Sequence, residues 1–223
     1  MQLGPVIVYQ CPKCPNLISN SSMASGNSID SKRYSDGKIV GPMLSTLPVI
    51  SICSKCNAIF WFSKIKEVDR YEFMSENWEK WISVETARFL SVQEYFTALE
   101  TQLAETAKEE YYIRKSIWWD FNDSFAGGRM TLVFYDSKKN NEFLHDKDTA
   151  QTLYIENIKR MLDLIDPTNV NQLLFRAELN RNIGNFEECL SIIDRIDNPD
   201  LDKIKAATKK ECENKNTTVF QIL

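Results

Sequence analysis

The sequence is poor in histidine, because His145 is the only one among 223 residues. A single imidazole excludes HExxH sites and multi-histidine metal centres, and it leaves few dyads in which a histidine could activate a nucleophile. Neither a GxxxxGK[ST] phosphate loop nor a GxSxG elbow occurs in the chain. From these absences we predict that the protein is not an enzyme.

Long apolar segments and strong net charge are also missing. No apolar run approaches the ~20 residues of a membrane-spanning helix, and the opening MQLGPVIVYQCPKC lacks the charged and apolar parts of a signal peptide. The 27 basic and 31 acidic residues give a net charge of −4, which argues against a general nucleic-acid coat protein. We therefore predict a cytoplasmic protein with no membrane partner.

The cysteines are concentrated near the N-terminus, where four of the six lie within the first 56 residues. They form the C-x2-C pairs Cys11–Cys14 and Cys53–Cys56, separated by 38 residues. Two residues between thiols allow a tight turn that supplies half of a tetrahedron, so two such pairs predict one structural zinc ion bound by all four.

The alternatives for these cysteines are a redox dithiol pair, and a catalytic metal or iron. A thioredoxin-type site needs a helix that begins at the C-x-x-C, and Pro12 and Pro15 around the first pair disfavour one. Four thiolates also close the coordination shell, which disfavours a catalytic metal. The two remaining cysteines, Cys189 and Cys212, are predicted to be small buried residues of helices.

The two cysteine turns resemble those of a zinc ribbon. The resemblance covers residues 1–63 and implies a small β domain, with an extended insertion at residues 16–38 that is rich in Ser, Asn and Gly. Short apolar runs flank the turns and predict three strands, at 6–9, 49–52 and 59–62.

Residues 64–223 have apolar side chains at three- and four-residue intervals, which is typical of amphipathic helices. We predict an all-α region with helices at 71–82, 90–103, 109–121, 146–166 and 200–212. The run Met130–Tyr135 has strand propensity but stands alone. The predicted fold class is therefore α+β, with a β zinc ribbon followed by a domain of helical hairpins.

The stretch from residue 169 to 199 resembles one tetratricopeptide-type (TPR) helix pair. The residues that carry the resemblance are Leu173, Ala177, Asn180, Gly184, Phe186, Cys189 and Ile193. Small residues would let the two helices approach closely, and Gly184 would permit the turn between them. Asn180 replaces the usual aromatic ring, and Pro199 arrives early for the closing proline.

The order of motifs along the chain is also similar to that of a group of bacterial proteins. The CPxC ribbon, the segment with Trp118, Trp119, Asn122 and Asp123, and the later AELNRNIGNFEECL carry this resemblance. It implies the architecture and no particular activity.

We predict a non-catalytic, zinc-binding interaction protein whose helical region binds a protein partner, since helical arrays bind peptides in their grooves. The candidate contact residues are Arg114, Trp118, Asn122, Arg176 and Asn180. The first alternative is a nucleic-acid accessory factor that uses the basic ribbon and the rings of Tyr34, Trp61 and Phe62. A further alternative is an enzyme with a site among Trp118, Asp120, Asp123 and His145.

Overall fold

The structure is a computed structural model that describes residues 2–222 apart from 73–74, 77, 127–132, 137–140 and 145–146, with the backbone alone at 125–126, 133–136, 141–144 and 147. The chain forms two compact units. The N-terminal unit consists of Met1–Ser31 and Val40–Leu103, and the helical unit consists of Lys32–Ile39 and Ala104–Leu223. The boundary predicted at residue 63 lies inside the N-terminal unit.

The described strands, in chain order, are β1 (Gln2–Gln10), β2 (Leu17–Ser25), β3 (Lys32–Arg33), β4 (Ile39–Val40), β5 (Ile50–Ile52), β6 (Ile59–Trp61), β7 (Glu67–Tyr71), β8 (Glu85–Thr86), β9 (Val133–Asp136) and β10 (Asn141–Leu144). The described helices are α1 (Trp78–Trp81), α2 (Val92–Glu100), α3 (Ala107–Ala126), α4 (Lys147–Leu164), α5 (Leu173–Asn182), α6 (Phe186–Asp194) and α7 (Asp202–Glu213). No helix in this described part is long and apolar enough to cross a bilayer.

The main sheet of the N-terminal unit has the strand order β7-β1-β2-β8. Strand β1 pairs antiparallel with both β2 and β7, whereas β8 adds to β2 in parallel. The first cysteine turn joins β1 to β2, so that Gln10 pairs with Leu17 across it. Much of the predicted extended insertion is thus the nine-residue strand β2.

A second ribbon, β5–β6, carries the second cysteine turn, and Ile50 pairs with Trp61 across it. The strands predicted at 6–9, 49–52 and 59–62 are confirmed by β1, β5 and β6. Buried Ile18, Ala58, Phe60 and Phe62 form a small apolar cluster with Cys11 and Cys53. Both cysteine turns therefore rest on one packed core.

The helix predicted at 71–82 is wrong. Of the described residues in that range, Tyr71 ends strand β7 (Glu67–Tyr71) and Trp78–Trp81 make a short helix. Tyr71 is extended because β1 offers backbone donors and acceptors, and it pairs there with Val6. The indole Nε1 of Trp81 donates to Asp69 Oδ2 at 2.9 Å, which ties the short helix to that strand.

The other predicted helices of the chain are confirmed by α2, α3, α4 and α7. Helix α2 begins with a capping box, in which Ser91 Oγ accepts from the N–H of Glu94 and the Glu94 carboxylate accepts from the N–H of Ser91. The predicted all-α region also contains a β-hairpin, because β9 pairs antiparallel with β10. The part of the run at 133–135 therefore pairs with a second strand, whereas residues 130–132 lie outside the described residues.

Helices α5 and α6 form the predicted hairpin, joined at Gly184. This glycine has φ +82°, a left-handed conformation that ends α5 and turns the chain. Leu173, Ala177, Cys189 and Ile193 are buried together between the helices and α7. The hairpin is shown by this packing, and its TPR character stays a prediction.

The segment Lys32–Ile39 is part of the helical unit, where it meets the last residues of the chain. The N–H of Ser35 donates to Phe220 O at 2.9 Å, and the N–H of Ile222 donates to Arg33 O at 2.8 Å. A tight turn at Gly37 closes the segment, with Gly37 N donating to Tyr34 O at 2.9 Å. Within the turn Ser35 and Asp36 are buried, and the exposed Gly37 lies beside Phe175 of α5.

Replacing Gly37 with alanine is expected to destabilise the helical unit. Gly37 has φ +75°, and a Cβ there would lie 2.7 Å from Phe175 Cζ. The left-handed backbone and the overlap together should lower the free energy of unfolding by roughly 2–4 kcal/mol. Gly184→Ala is the matched control, because Gly184 shares the positive φ but has no atom within 4 Å of a Cβ. Equal losses in denaturant unfolding of the two variants would contradict the packing argument.

Candidate metal centre

The first cysteine turn presents Cys11 and Cys14 between β1 and β2. The N–H of Cys11 donates to Asn16 O at 2.9 Å, which closes the turn. The N–H of Lys13 points at Cys11 Sγ, 3.5 Å away. Backbone geometry thus directs an N–H donor at a sulfur.

The second turn presents Cys53 and Cys56 between β5 and β6 in a similar way. The N–H of Cys53 donates to Ala58 O at 2.9 Å, and the N–H of Asn57 donates to Cys53 O at 2.8 Å. Asn57 adopts φ 56°, a left-handed conformation that asparagine tolerates better than most residues. The two turns are therefore alike in construction.

The four sulfurs lie together, all within 4.8 Å of one another. Cys11 Sγ is 3.5 Å from Cys56 Sγ, and Cys14 Sγ is 3.6 Å from Cys53 Sγ. Each short contact joins one turn to the other, so neither turn holds a complete site. The cluster could hold a metal ion, and it is compatible with a zinc ribbon.

The sulfurs differ in their environment. Burial raises the pKa of Cys11 to about 12. Burial opposes ionisation at Cys53 too, but the N–H groups of Cys56 and Lys55 donate to its sulfur and lower the pKa to about 7. Cys53 therefore ionises more readily than Cys11. A metal ion that binds both thiolates would have to displace the more tightly held proton of Cys11.

The rings that follow the second turn are not available for stacking on bases. Trp61 and Phe62 are buried, and Phe62 packs on Tyr9 with ring centroids 4.8 Å apart. Trp61 Nε1 donates to Leu103 O at 3.2 Å, inside the same unit. Two of the three rings named for the nucleic-acid alternative are therefore used in packing, whereas the third, Tyr34, is half-buried.

Three of the predicted partner-contact residues lie in the interior of the helical unit. Trp118, Asn122 and Asn180 are 0%, 6% and 4% exposed. Trp118 Nε1 donates to Asn182 Oδ1 at 2.9 Å, and Asn180 Nδ2 donates to Arg176 O at 2.9 Å. Their side-chain polar atoms form hydrogen bonds inside the helical unit, and these residues are therefore not part of the surface proposed below for a partner.

Asn122 belongs to a buried chain of hydrogen bonds. Its Nδ2 donates to Asp36 Oδ2 at 3.0 Å, and its Oδ1 accepts from the Tyr154 hydroxyl at 2.8 Å. Burial raises the pKa of Asp36. The asparagine therefore fixes the segment Lys32–Ile39 to the helices.

The remaining two candidates are half-buried arginines that also have internal partners. Arg114 Nε pairs with Glu110 Oε1 at 2.8 Å, and its Nη1 donates to Asn157 Oδ1 at 3.4 Å. Arg176 Nη1 donates to Leu162 O at 3.3 Å. Both side chains link neighbouring helices.

The three described residues of the enzyme alternative, Trp118, Asp120 and Asp123, all lie on α3. His145 lies outside the described residues. Asp123 is exposed and forms an ion pair with Lys38. Burial raises the pKa of Asp120 to about 6, and Trp118 is bonded to Asn182 in the interior.

Three polar residues beside the sulfurs escaped the sequence reasoning, namely Asn16, Ser54 and Glu85. Ser54 lies within the second C-x2-C pair, and Asn16 lies two positions after the first pair, so their positions along the chain could have indicated them. Glu85 is remote in sequence and is brought there by strand β8. Only the sheet pairing reveals it.

Comparison of the chain with known protein families, with curated proteins and with solved structures gives no match.

Proposed function

We propose that the protein is a non-catalytic interaction protein whose N-terminal unit is stabilised by one zinc ion bound to Cys11, Cys14, Cys53 and Cys56. The closed set of four thiols is the observation that carries this proposal. Four-thiolate sites of this kind hold structural zinc in small β ribbons, where the metal supplies folding energy.

The sulfur positions suit zinc. A tetrahedron with Zn–S bonds of about 2.3 Å has sulfur–sulfur edges of about 3.8 Å. The two short cross-turn distances here are 3.5 and 3.6 Å, and no pair exceeds 4.8 Å. A set of four thiolates without oxygen or nitrogen ligands favours zinc or iron over magnesium, calcium or manganese.

A non-catalytic role is supported by the closed donor set. Catalytic zinc sites have three protein ligands and keep a position for water or substrate, whereas four cysteines fill a tetrahedron. Among the residues that the structure describes, the four cysteines are also the one group of three or more Cys, His or acidic side chains placed to share a metal.

The proposed partner surface is on helix α3, where Tyr111, Lys115 and Trp119 follow one another at four-residue intervals. We call these three residues the α3 stripe. All three are half-buried, and Lys115 Nζ lies 4.5 Å from the centre of the Trp119 ring. Partly exposed aromatic residues carry much of the binding energy of protein interfaces, which supports a role in recognition.

Capture experiments with the full tagged chain test the interaction role. A specific protein should be recovered from nuclease-treated lysate by the wild type and by Lys108→Glu. Lys115→Glu should recover about tenfold less, equivalent to 1.4 kcal/mol. Lys108 is an exposed lysine of the same helix and provides the matched control. Recovery that depends on nucleic acid, or equal recovery by both variants, would contradict the proposal.

A further inference from the structure

Asn16 lies between a sulfur of the second turn and a carboxylate of strand β8. Its Nδ2 is 3.5 Å from Cys53 Sγ and 3.5 Å from Glu85 Oε2. One amide group carries two hydrogens, so it can donate to both acceptors at once. Because Asn16 directly follows the first cysteine turn, its side chain connects that turn to a sulfur of the other.

Glu85 is itself held in place from several sides. Its Oε2 accepts a hydrogen bond from Ser54 Oγ, inside the second cysteine turn. Its backbone pairs with Ile18 of β2, and Ser19 Oγ donates to Glu85 O at 3.2 Å. The carboxylate therefore contacts residues of both turns from outside the sulfur cluster.

This arrangement determines which end of the Asn16 amide faces Cys53. A carboxylate accepts hydrogen bonds only, so the amide nitrogen, not the oxygen, must point toward Glu85. The second hydrogen of that nitrogen is then directed at Cys53 Sγ. Four thiolates around a divalent ion carry excess negative charge, and an N–H donor at a sulfur stabilises it.

We propose that Asn16 is a positioning residue of the metal centre, and that Glu85 orients it. This inference rests on the proposed function, because it assumes that the four cysteines bind zinc. Outer hydrogen-bond partners of metal ligands typically contribute 10–100-fold to metal affinity. Asn16 and Glu85 line a surface cleft of about 490 Å³, so their replacement opens no cavity in the core.

The test compares Asn16→Asp with Asn20→Asp in the full chain. Asn16→Asp replaces the donor by a carboxylate that repels the thiolate, so the apparent Kd for Zn²⁺ in chelator competition should rise about 10–100-fold. The thiolate-to-Co²⁺ charge-transfer bands of the cobalt-loaded protein should also shift. Asn20 is on strand β2, which begins directly after Asn16, and its Nδ2 donates to Pro48 O at 2.9 Å, so its variant controls for a lost structural hydrogen bond.

Glu85→Ala should weaken Zn²⁺ binding in the same direction, because Asn16 loses the acceptor that orients it. This variant keeps the test decisive if Asn16→Asp fails to fold. The inference is overturned if the wild type binds Zn²⁺ tightly while Asn16→Asp and Glu85→Ala bind it as tightly as Asn20→Asp. A wild type that binds no Zn²⁺ would overturn the proposed function and this inference together.

Discussion

The double variant Cys53→Ser/Cys56→Ser is expected to lose its zinc and to unfold the N-terminal unit. Each short sulfur contact joins the two turns, so removal of the second pair leaves half of a tetrahedron. Zinc supplies on the order of 10 kcal/mol to the folding of small four-ligand domains. One of the two replaced cysteines, Cys53, also belongs to the small apolar cluster under the turns, so the packing there would be disrupted as well.

Limited proteolysis and bound-metal analysis of the full chain measure this effect. Cleavage should become rapid within the N-terminal unit of the variant, and the metal content should fall to background. Cys189→Ala/Cys212→Ala is the matched control, because it also removes two thiols, both buried in the helical unit. A serine variant that kept the protease resistance of the wild type would show that the cysteines are not structural ligands.

Glu178→Gln is expected to cost about 3–5 kcal/mol of stability, since it leaves a buried arginine without its counter-charge. Arg181 is fully buried, and its Nη2 lies 2.6 Å from Glu178 Oε1. Glu178 Oε1 also accepts from Ser35 Oγ at 2.6 Å, and Arg181 Nη2 donates to Thr218 O at 2.9 Å. One ion pair thus holds the segment Lys32–Ile39 and the end of the chain to α5.

A double-mutant cycle with Arg181→Met measures the interaction free energy between Glu178 and Arg181. The double variant should lose less stability than the sum of the two single variants, because neither charge is then buried alone. Asp202→Asn is the control: Asp202 forms an exposed pair of the same i,i+3 spacing with Lys205, and such pairs contribute about 0–1 kcal/mol. Additive losses in denaturant unfolding would contradict a coupled buried pair.

The four-cysteine cluster and most helices could be predicted because their signals are local. Two residues between cysteines define a turn wherever it occurs, and the strands beside each turn are marked by short apolar runs. Helices α2 to α7 repeat apolar residues at helical intervals, and α2 adds a capping box at Ser91 and Glu94. Each of these features depends on neighbours within a few positions.

The remaining features depend on partners that are distant in sequence. Strand β7 lies in the region predicted to be all-α and forms because β1 offers it backbone hydrogen bonds. Glu178 and Arg181 have the i,i+3 spacing that is common in solvated ion pairs, but both are buried, and residues 32–39 and 216–222 supply hydrogen-bond partners to them. Trp118 and Asn122 were predicted to contact a partner because their internal hydrogen-bond partners, Asn182 and Asp36, are also distant in sequence.

Whether the four cysteines bind zinc is decided by the metal content of the purified full chain, from elemental analysis and native mass spectrometry together. We expect one zinc ion per chain, absent from Cys53→Ser/Cys56→Ser and retained by Cys189→Ala/Cys212→Ala. A metal-free wild type that is folded, a chain that carries iron instead, or zinc that survives loss of the second cysteine pair would contradict this expectation.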